Sequence, residues 1–253
     1  MTARLQDKVA IITGAGQGIG EAIAEAFVGQ GADVVIADRN EANGSRVAAR
    51  LDATFIRTDV TCQADIEQLV AATIERFGRV DVLINNAGAN VFHVPHEMPR
   101  SEWAHCMALD LEACWAMIEA VLPNMRCRGA GSVINIASTH GFQIIPHTFP
   151  YPVAKHGLIG MTRALGVEYA AEGIRVNAIS PGYIDTQIAR DYWAGFDDPA
   201  AERSKAEKLH PPQRVGRPEE VAMTAVFLAS DEAPFINAEN IVIDGGRSCL
   251  YHE

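Results

Sequence analysis

The stretch that most constrains this chain is Thr13 to Gly20, T-G-A-G-Q-G-I-G. It follows an apolar, β-branched run, Lys8 to Thr13 (K-V-A-I-I-T). A short continuous run of this kind reads as a buried parallel strand. Glu21 to Gly29 then reads as a helix, with Ile23 and Phe27 on its apolar face. Strand, glycine turn and helix N-terminus together make a cradle for phosphate. Missing side chains let the backbone come close, and the first helical turn offers unpaired N–H donors. The spacing is T-G-x-x-x-G-x-G, not G-x-G-x-x-G, because Ile19 stands where the last glycine of that pattern would be. Gly14, Gln17, Gly18, Ile19 and Gly20 are therefore candidate phosphate-side residues; a glycine turn without a ligand is the alternative.

Ala32 to Ala37 (A-D-V-V-I-A) repeats the strand pattern, and Asp38 stands at its end. In dinucleotide folds an acid about 20 residues beyond the glycine turn meets the adenosine ribose. A carboxylate there accepts hydrogen bonds from both hydroxyls and repels a 2′-phosphate, so the expected cofactor is NAD and not NADP. Arg39 follows directly and softens that preference if it pairs with a phosphate. No basic residue stands in the glycine loop itself.

Strand and helix patterns alternate from there on. Helices are expected over Glu41 to Leu51, Gln63 to Phe77, Ser101 to about Arg126, Pro150 to about Tyr169 and Pro218 to Ala229. Further strands are expected over Thr54 to Thr58, Val80 to Asn85, Gly131 to Ala137, Arg175 to Ile179 and Asn240 to Ile243. Tyr183 to Pro212 is too long for an ordinary connection and reads as an irregular substrate lid. The pattern predicts one α/β domain over residues 1–253, with 183–212 as the lid within it. Its architecture is a Rossmann-type doubly wound parallel sheet of seven strands with helices on both faces. Ligands of such sheets lie outside the carboxyl ends of the strands. That places Ser138, after the fifth strand, in the same crevice as the glycine turn. Asp59-Val60, after the third strand, either hold an adenine edge or begin the next helix. Asn86-Ala87-Gly88, after the fourth, are small enough for close approach to a cofactor or form a plain turn.

The chemistry is sought first at Tyr151 and Lys155 in Y-P-V-A-K. Four residues apart, they share one face of a helix. One positive charge at ~4 Å, at an effective dielectric of ~20, is worth roughly 4 kcal/mol, or ~3 pKa units. The expectation is a Tyr151 phenol brought down toward neutrality, where general acid–base catalysis works best. A packed ring beside a solvated amine is the ordinary alternative for this spacing.

The bulk numbers bound the partners. Formal net charge is −11, which argues against nucleic acid and anionic membrane as partners and reads as a solubilising surface. The five cysteines include no C-x-x-C pair and read as buried or reduced thiols of a cytoplasmic protein, with no disulfide framework and no metal site. No apolar run reaches the ~18 residues of a membrane span, and the first residues lead directly into a strand, so no signal peptide is expected.

T-G-A-G-Q-G-I-G, N-N-A-G, Ser138 ahead of Y-P-V-A-K, Pro181-Gly182, G-R-P-E-E-V-A and I-D-G-G occur in this order. The ordered set spans essentially the whole chain and closely resembles the short-chain dehydrogenase/reductase family in its compact form. The resemblance implies that Tyr151 is the catalytic acid/base. It implies that Lys155 lowers the Tyr151 pKa and binds the nicotinamide ribose, and that Ser138 donates to the substrate oxygen. Asn86, Ala87, Gly88, Pro181, Gly182, Ile184 and Thr186 are implied along the cofactor, and a homotetramer is the implied assembly, with the C-terminal Cys249-Leu250-Tyr251 packed on a neighbour. One departure stands out: Asp110 takes the place of an Asn that serves the family's proton relay. Asp110 either serves that relay through a water, pairs with Lys155, or is an inert buried acid.

The substrate is legible only in outline. Asn90, Gln143, His147 and Tyr183 neighbour the motifs and are joined in the pocket by Ser138 and Tyr151. Such a wall suits a polyhydroxylated molecule, and the chain reads as a dehydrogenase of a sugar or a keto-deoxy sugar acid. Arg190 or Arg214 is available to a carboxylate, or is a surface arginine. Tyr192 and Trp193 either stack on a sugar face or pack the lid. The competing readings are a 3-oxoacyl or other carbonyl reductase, and a catalytically inactive NAD-binding module.

Overall fold

A computed structural model describes residues 3–251. Seven strands form one parallel sheet. They are β1 (Val9–Thr13), β2 (Asp33–Asp38), β3 (Thr54–Arg57), β4 (Val82–Asn85), β6 (Gly131–Ile136), β8 (Ile174–Pro181) and β9 (Asn240–Ile243), in the spatial order β3-β2-β1-β4-β6-β8-β9. Every neighbouring pair is parallel. Strand order reverses between β1 and β4, so a crevice opens there at the carboxyl ends.

Side-chain alternation along β1 divides the core. Ile12 joins Ile23 and Phe27 of α1 (Gly18–Gly29) and Ala225 and Leu228 of α9 (Pro218–Ala229). Ile11, turned the other way, joins Leu69 of α3 (Gln63–Phe77) and Met117, Ile118 and Val121 of α5 (Ala113–Arg128). A strand buried on both faces needs apolar residues at consecutive positions, which is why K-V-A-I-I-T shows no polar alternation. Burying each of these Ile, Leu or Phe side chains contributes about 1.5–3 kcal/mol. Of the remaining helices, α2 (Glu41–Leu51) is capped by Asn40, whose side chain accepts from the Asn43 N–H. The long helix α6 (Tyr151–Tyr169) starts at the first residue of Y-P-V-A-K.

Three features depart from the sequence expectations. The stretch 183–212 is not irregular: it holds α7 (Gln187–Ala194) and α8 (Pro199–Lys208). Thr186 and Asp198 cap them, accepting from Ala189 and Ala201 N–H at 3.3 and 3.0 Å. Periodicity hides α8 because only Ala206 of its residues is buried; its support is charged, including an Arg203–Glu207 pair at 3.0 Å. The expected helix from Ser101 is broken by a π-helical turn, Ala108–Glu112, between α4 (Arg100–Met107) and α5. Two short strands, β5 (Phe92–His93) and β7 (Phe149–Pro150), pair antiparallel beside the main sheet. Among the described residues no helix is long and apolar enough to cross a membrane.

Candidate active site

The glycine turn is locked to the loop after β4. Thr13 Oγ1 donates to Ile84 O (3.2 Å) and accepts from Asn86 N–H (3.0 Å) and Ala87 N–H (3.1 Å). The Asn86 amide donates back to Thr13 O and Gly14 O, both at 3.0 Å. Gly14 has φ +63°, and a Cβ on it would sit 2.9 Å from Ala87 Cα. Only glycine meets both conditions. Helix α1 begins behind this turn, and its cap residue Gln17 makes no side-chain hydrogen bond, so the first N–H groups are open. Gln17, Gly18 and Ile19 line a cavity of about 660 Å³ that runs along the carboxyl ends of the strands. Gly20 is not in its wall; it is packed inside the turn, where a Cβ would come within 2.4 Å of Gly14 O.

At one end of the cavity stand Asp38, Arg39, Asp59 and Val60. Asp38 closes the turn by accepting from Gly16 N–H and Asn40 N–H, both at 2.8 Å. A carboxylate has about four acceptor sites, so about two remain for hydroxyl groups. Asp59 accepts from the Thr61 hydroxyl (2.7 Å) and N–H (2.9 Å), and these bonds hold its carboxyl below the usual range. Asp59 thus organises the approach to α3 while Val60 offers the cavity an apolar surface.

At the other end Ser138, Tyr151, Lys155 and Asp110 come together. Lys155 Nζ lies 3.3 Å from Asp110 Oδ1 and 5.3 Å from the Tyr151 ring centroid, and donates to Ile136 O at 3.3 Å. The π-helical turn carries Asp110 inward, where it is 0% exposed. Its Oδ1 also accepts from Ala89 N–H at 3.3 Å. Gly88 leaves room for it, since a Cβ there would come within 2.6 Å of Asp110 Oδ1. The pairing with Lys155, one of the three roles open to Asp110 from sequence, is present.

The expected lowering of Tyr151 is not. Burial pushes the phenol above its ordinary value; Lys155 and the Ser138 hydroxyl pull it down, and Asp110 pushes it up again. Burial, which the spacing of Tyr151 and Lys155 does not show, outweighs the cation, and the Asp110 pairing makes Lys155 less effective on the phenol, as that pairing implied from sequence. Burial opposes the charge on Lys155, but Tyr151 and Asp110 outweigh it and keep this lysine above its ordinary value. Asp110 itself is raised by burial, which Lys155 only partly offsets.

Among the expected substrate residues, Asn90, His147 and Tyr183 line the cavity. Gln143 does not: it is exposed and donates to Ser248 O at 2.8 Å, tying down the C-terminal turn. Arg190 and Arg214 are taken by protein carboxylates, Asp185 at 2.8 Å and Glu220 at 2.6 Å. Trp193 is buried with Ala206 and Val215 and lines the cavity, as does Tyr192, which meets Phe92 edge-on at 6.3 Å. Sequence reasoning missed Phe92, His140 and Arg247, which also line the cavity. The His140 ring lies 5.7 Å from that of Tyr151, and burial brings its pKa down to about 4, with the charge of Arg247 contributing. His140 is therefore a neutral ring at physiological pH. Its place two residues after Ser138 was the available signal. Arg247 is far from every motif but I-D-G-G and gave none.

A cavity with open helix N–H groups at its middle and a carboxylate with spare acceptor sites at one end fits a nicotinamide dinucleotide. Its other end holds a phenol beside an ammonium. The fold and the site define a nicotinamide-dependent oxidoreductase acting on CH–OH groups. Residues 14–248 match the family model described as enoyl-(acyl carrier protein) reductase. L-fucose dehydrogenase of Bos taurus is 40% identical over 256 residues, 99% of this chain and 93% of that protein. The NAD-dependent glycerol dehydrogenase of Listeria innocua is 37% identical over 245 residues, 96% of this chain and 94% of that protein. The crystal structure of levodione reductase superposes with a TM-score of 0.94 at 35% identity, covering 98% of this chain and all of that one. The chain belongs to the short-chain dehydrogenase/reductase family.

Proposed function

We propose that this chain is an NAD-preferring dehydrogenase of a sugar or sugar acid, with Tyr151 as its acid/base. The observation that carries the reading is the convergence of Ser138, Tyr151 and Lys155 on one end of the cavity whose other end holds Asp38. When bound, NAD supplies the hydride acceptor. Ser138 donates to the substrate oxygen and fixes it against Tyr151. In the oxidative direction the Tyr151 phenolate accepts the hydroxyl proton as the C–H bond breaks and the carbonyl forms. Lys155 keeps its charge beside the ring and favours that phenolate. In the reverse direction the phenol returns the proton.

Asp38 supports NAD over NADP through its spare acceptor sites and its repulsion of a 2′-phosphate. Gly14, Gln17, Gly18, Ile19, Asn86, Ala87, Gly88, Pro181, Gly182, Ile184 and Thr186 are the cofactor's remaining neighbours in this reading, with α7 and α8 forming the lid. The sugar reading is supported by the polar groups of Asn90, His147 and Tyr183, and by relatives named for L-fucose and glycerol. A homotetramer in the cytoplasm completes it; exposed apolar residues such as Phe235, Val242, Leu250 and Tyr251 are available to bury between copies.

The test is steady-state hydride transfer with NAD and with NADP over sugars, sugar acids, polyols and acyl thioesters. Oxidation of a polyhydroxylated compound with NAD is expected. Turnover confined to NADPH and an acyl thioester would replace this reading with the carrier-protein reductase one. NADH binding without any turnover would make the chain a cofactor-binding module.

A further inference from the structure

Among the described residues, the lysines and arginines lining the cavity are Arg39, Lys155 and Arg247. Arg39 stands beside Asp38 at the adenosine end, and Lys155 is paired with Asp110 at 3.3 Å. Arg247 has no carboxylate within ion-pair distance among the described residues, and its guanidinium donates no hydrogen bond there. It is held by stacking: its Cζ lies 5.1 Å from the Tyr183 ring centroid. Stacking fixes the plane of a guanidinium and leaves its N–H edge free for a planar anion.

The turn that carries Arg247 is built. The nearest acid in sequence, Asp244, is 7% exposed and faces inward, accepting from Gly246 N–H at 2.9 Å and Ser248 N–H at 2.8 Å. From outside the cavity wall, Gln143 donates to Ser248 O at 2.8 Å. The turn is thus fixed at both sides, and the charge of Arg247 reaches His140, whose ring abuts Tyr151. An unpaired, half-buried guanidinium lining a cavity is a recognition group for carboxylate, since charge-assisted bidentate bonds are the strong ones.

We propose that Arg247 recognises a carboxylate on the substrate, so that the substrate is a polyhydroxylated acid (an aldonate or its keto form) and not a neutral sugar or polyol. The inference rests on the dehydrogenase reading above for its chemistry, but the anion site has its own readout.

That readout is calorimetric titration of the NADH-loaded protein with four- to six-carbon aldonates and the matching alditols, for wild type, Arg247→Gln and Arg247→Lys. The best aldonate is expected to bind at least about tenfold more tightly than its alditol. Arg247→Gln should weaken aldonate binding by about 10- to 100-fold, the range for hydrogen bonds to charged groups, and leave alditols and NADH unaffected. Arg247→Lys should keep part of the preference, as a point charge without the fork. Equal binding of both classes to wild type, no aldonate binding, or an undiminished preference in Arg247→Gln overturns the proposal. Turnover of the same compounds with NAD is read separately. Aldonate-selective binding without hydride transfer sinks the dehydrogenase reading and leaves the anion site standing. Equal binding of alditols and aldonates, with hydride transfer from either, sinks the anion site alone.

Discussion

Asp110 lies 3.3 Å from Lys155 inside the protein, and its anion opposes the effect of Lys155 on Tyr151. A negative charge near a phenol disfavours the phenolate, so Asp110 raises the Tyr151 pKa; a positive charge lowers it. Asp110→Asn removes the anion and keeps the shape. The Tyr151 pKa should then fall, and the pH profile of kcat/KM for alcohol oxidation should reach its plateau at lower pH. Profiles of wild type and variant, with NADH affinity measured alongside, check this. An unchanged or upward-shifted profile contradicts it.

The Thr13 hydroxyl satisfies two backbone N–H groups of the loop after β4. Thr13→Val keeps the volume and strands both donors, each at a cost of about 1–3 kcal/mol. Tm should drop by several degrees, since 1 kcal/mol is worth about 2–4 °C in a domain of this size. NADH affinity should weaken with it. Thr13→Ser should restore both quantities; a valine variant that melts like wild type refutes the lock.

Asp38→Ala should narrow the ratio of kcat/KM for NAD over NADP. It removes the repulsion and the acceptor sites together, and it leaves Arg39 beside the space a 2′-phosphate would take. Steady-state assays with both cofactors measure the ratio. A ratio that is already at or below one in the wild type contradicts the assignment of Asp38.

Asp185 ties α7 to α8, accepting from Arg190 at 2.8 Å and from Arg203 at 3.1 Å. These hydrogen bonds hold its carboxyl below the usual range. A depressed acid contributes while it is ionised, and the contribution fades as pH falls through the folded-state pKa. Asp185→Asn should speed hydrogen exchange in α7 and α8 with little change in Tm, because each helix buries only one residue, Trp193 and Ala206. Exchange in the two helices equal to wild type would mean the ties are idle.

The sheet was legible because each strand is a β-branched run ended by a turn, and because Pro218 sits where a helix begins. The grouping of Ser138, Tyr151 and Lys155 in one cavity was legible because they lie in recognisable order. What escaped depended on three-dimensional neighbours. The Tyr151 pKa is raised by burial against the pull of Lys155, and by Asp110, which the π-helical turn brings in from another part of the chain. Gln143 turns away to Ser248, a distant partner. Arg190 and Arg214 meet acids five and six residues away, a pairing that composition alone does not select. Arg247 reaches the cavity from the far end of the chain, and α8 is stabilised by charges that leave no apolar period.

The central claim is that Tyr151 moves the proton. Tyr151→Phe keeps the ring against His140 and Phe92, at centroid distances of 5.7 and 5.6 Å in the wild type, and removes only the hydroxyl. The direct measurement is kcat/KM against pH for this variant, together with NADH affinity by fluorescence titration. The account predicts a fall of at least the ~10²–10⁴-fold typical of losing a general acid–base group. It also predicts loss of the alkaline rise in oxidation and NADH binding close to wild type. Near-normal turnover with the wild-type pH profile would contradict it.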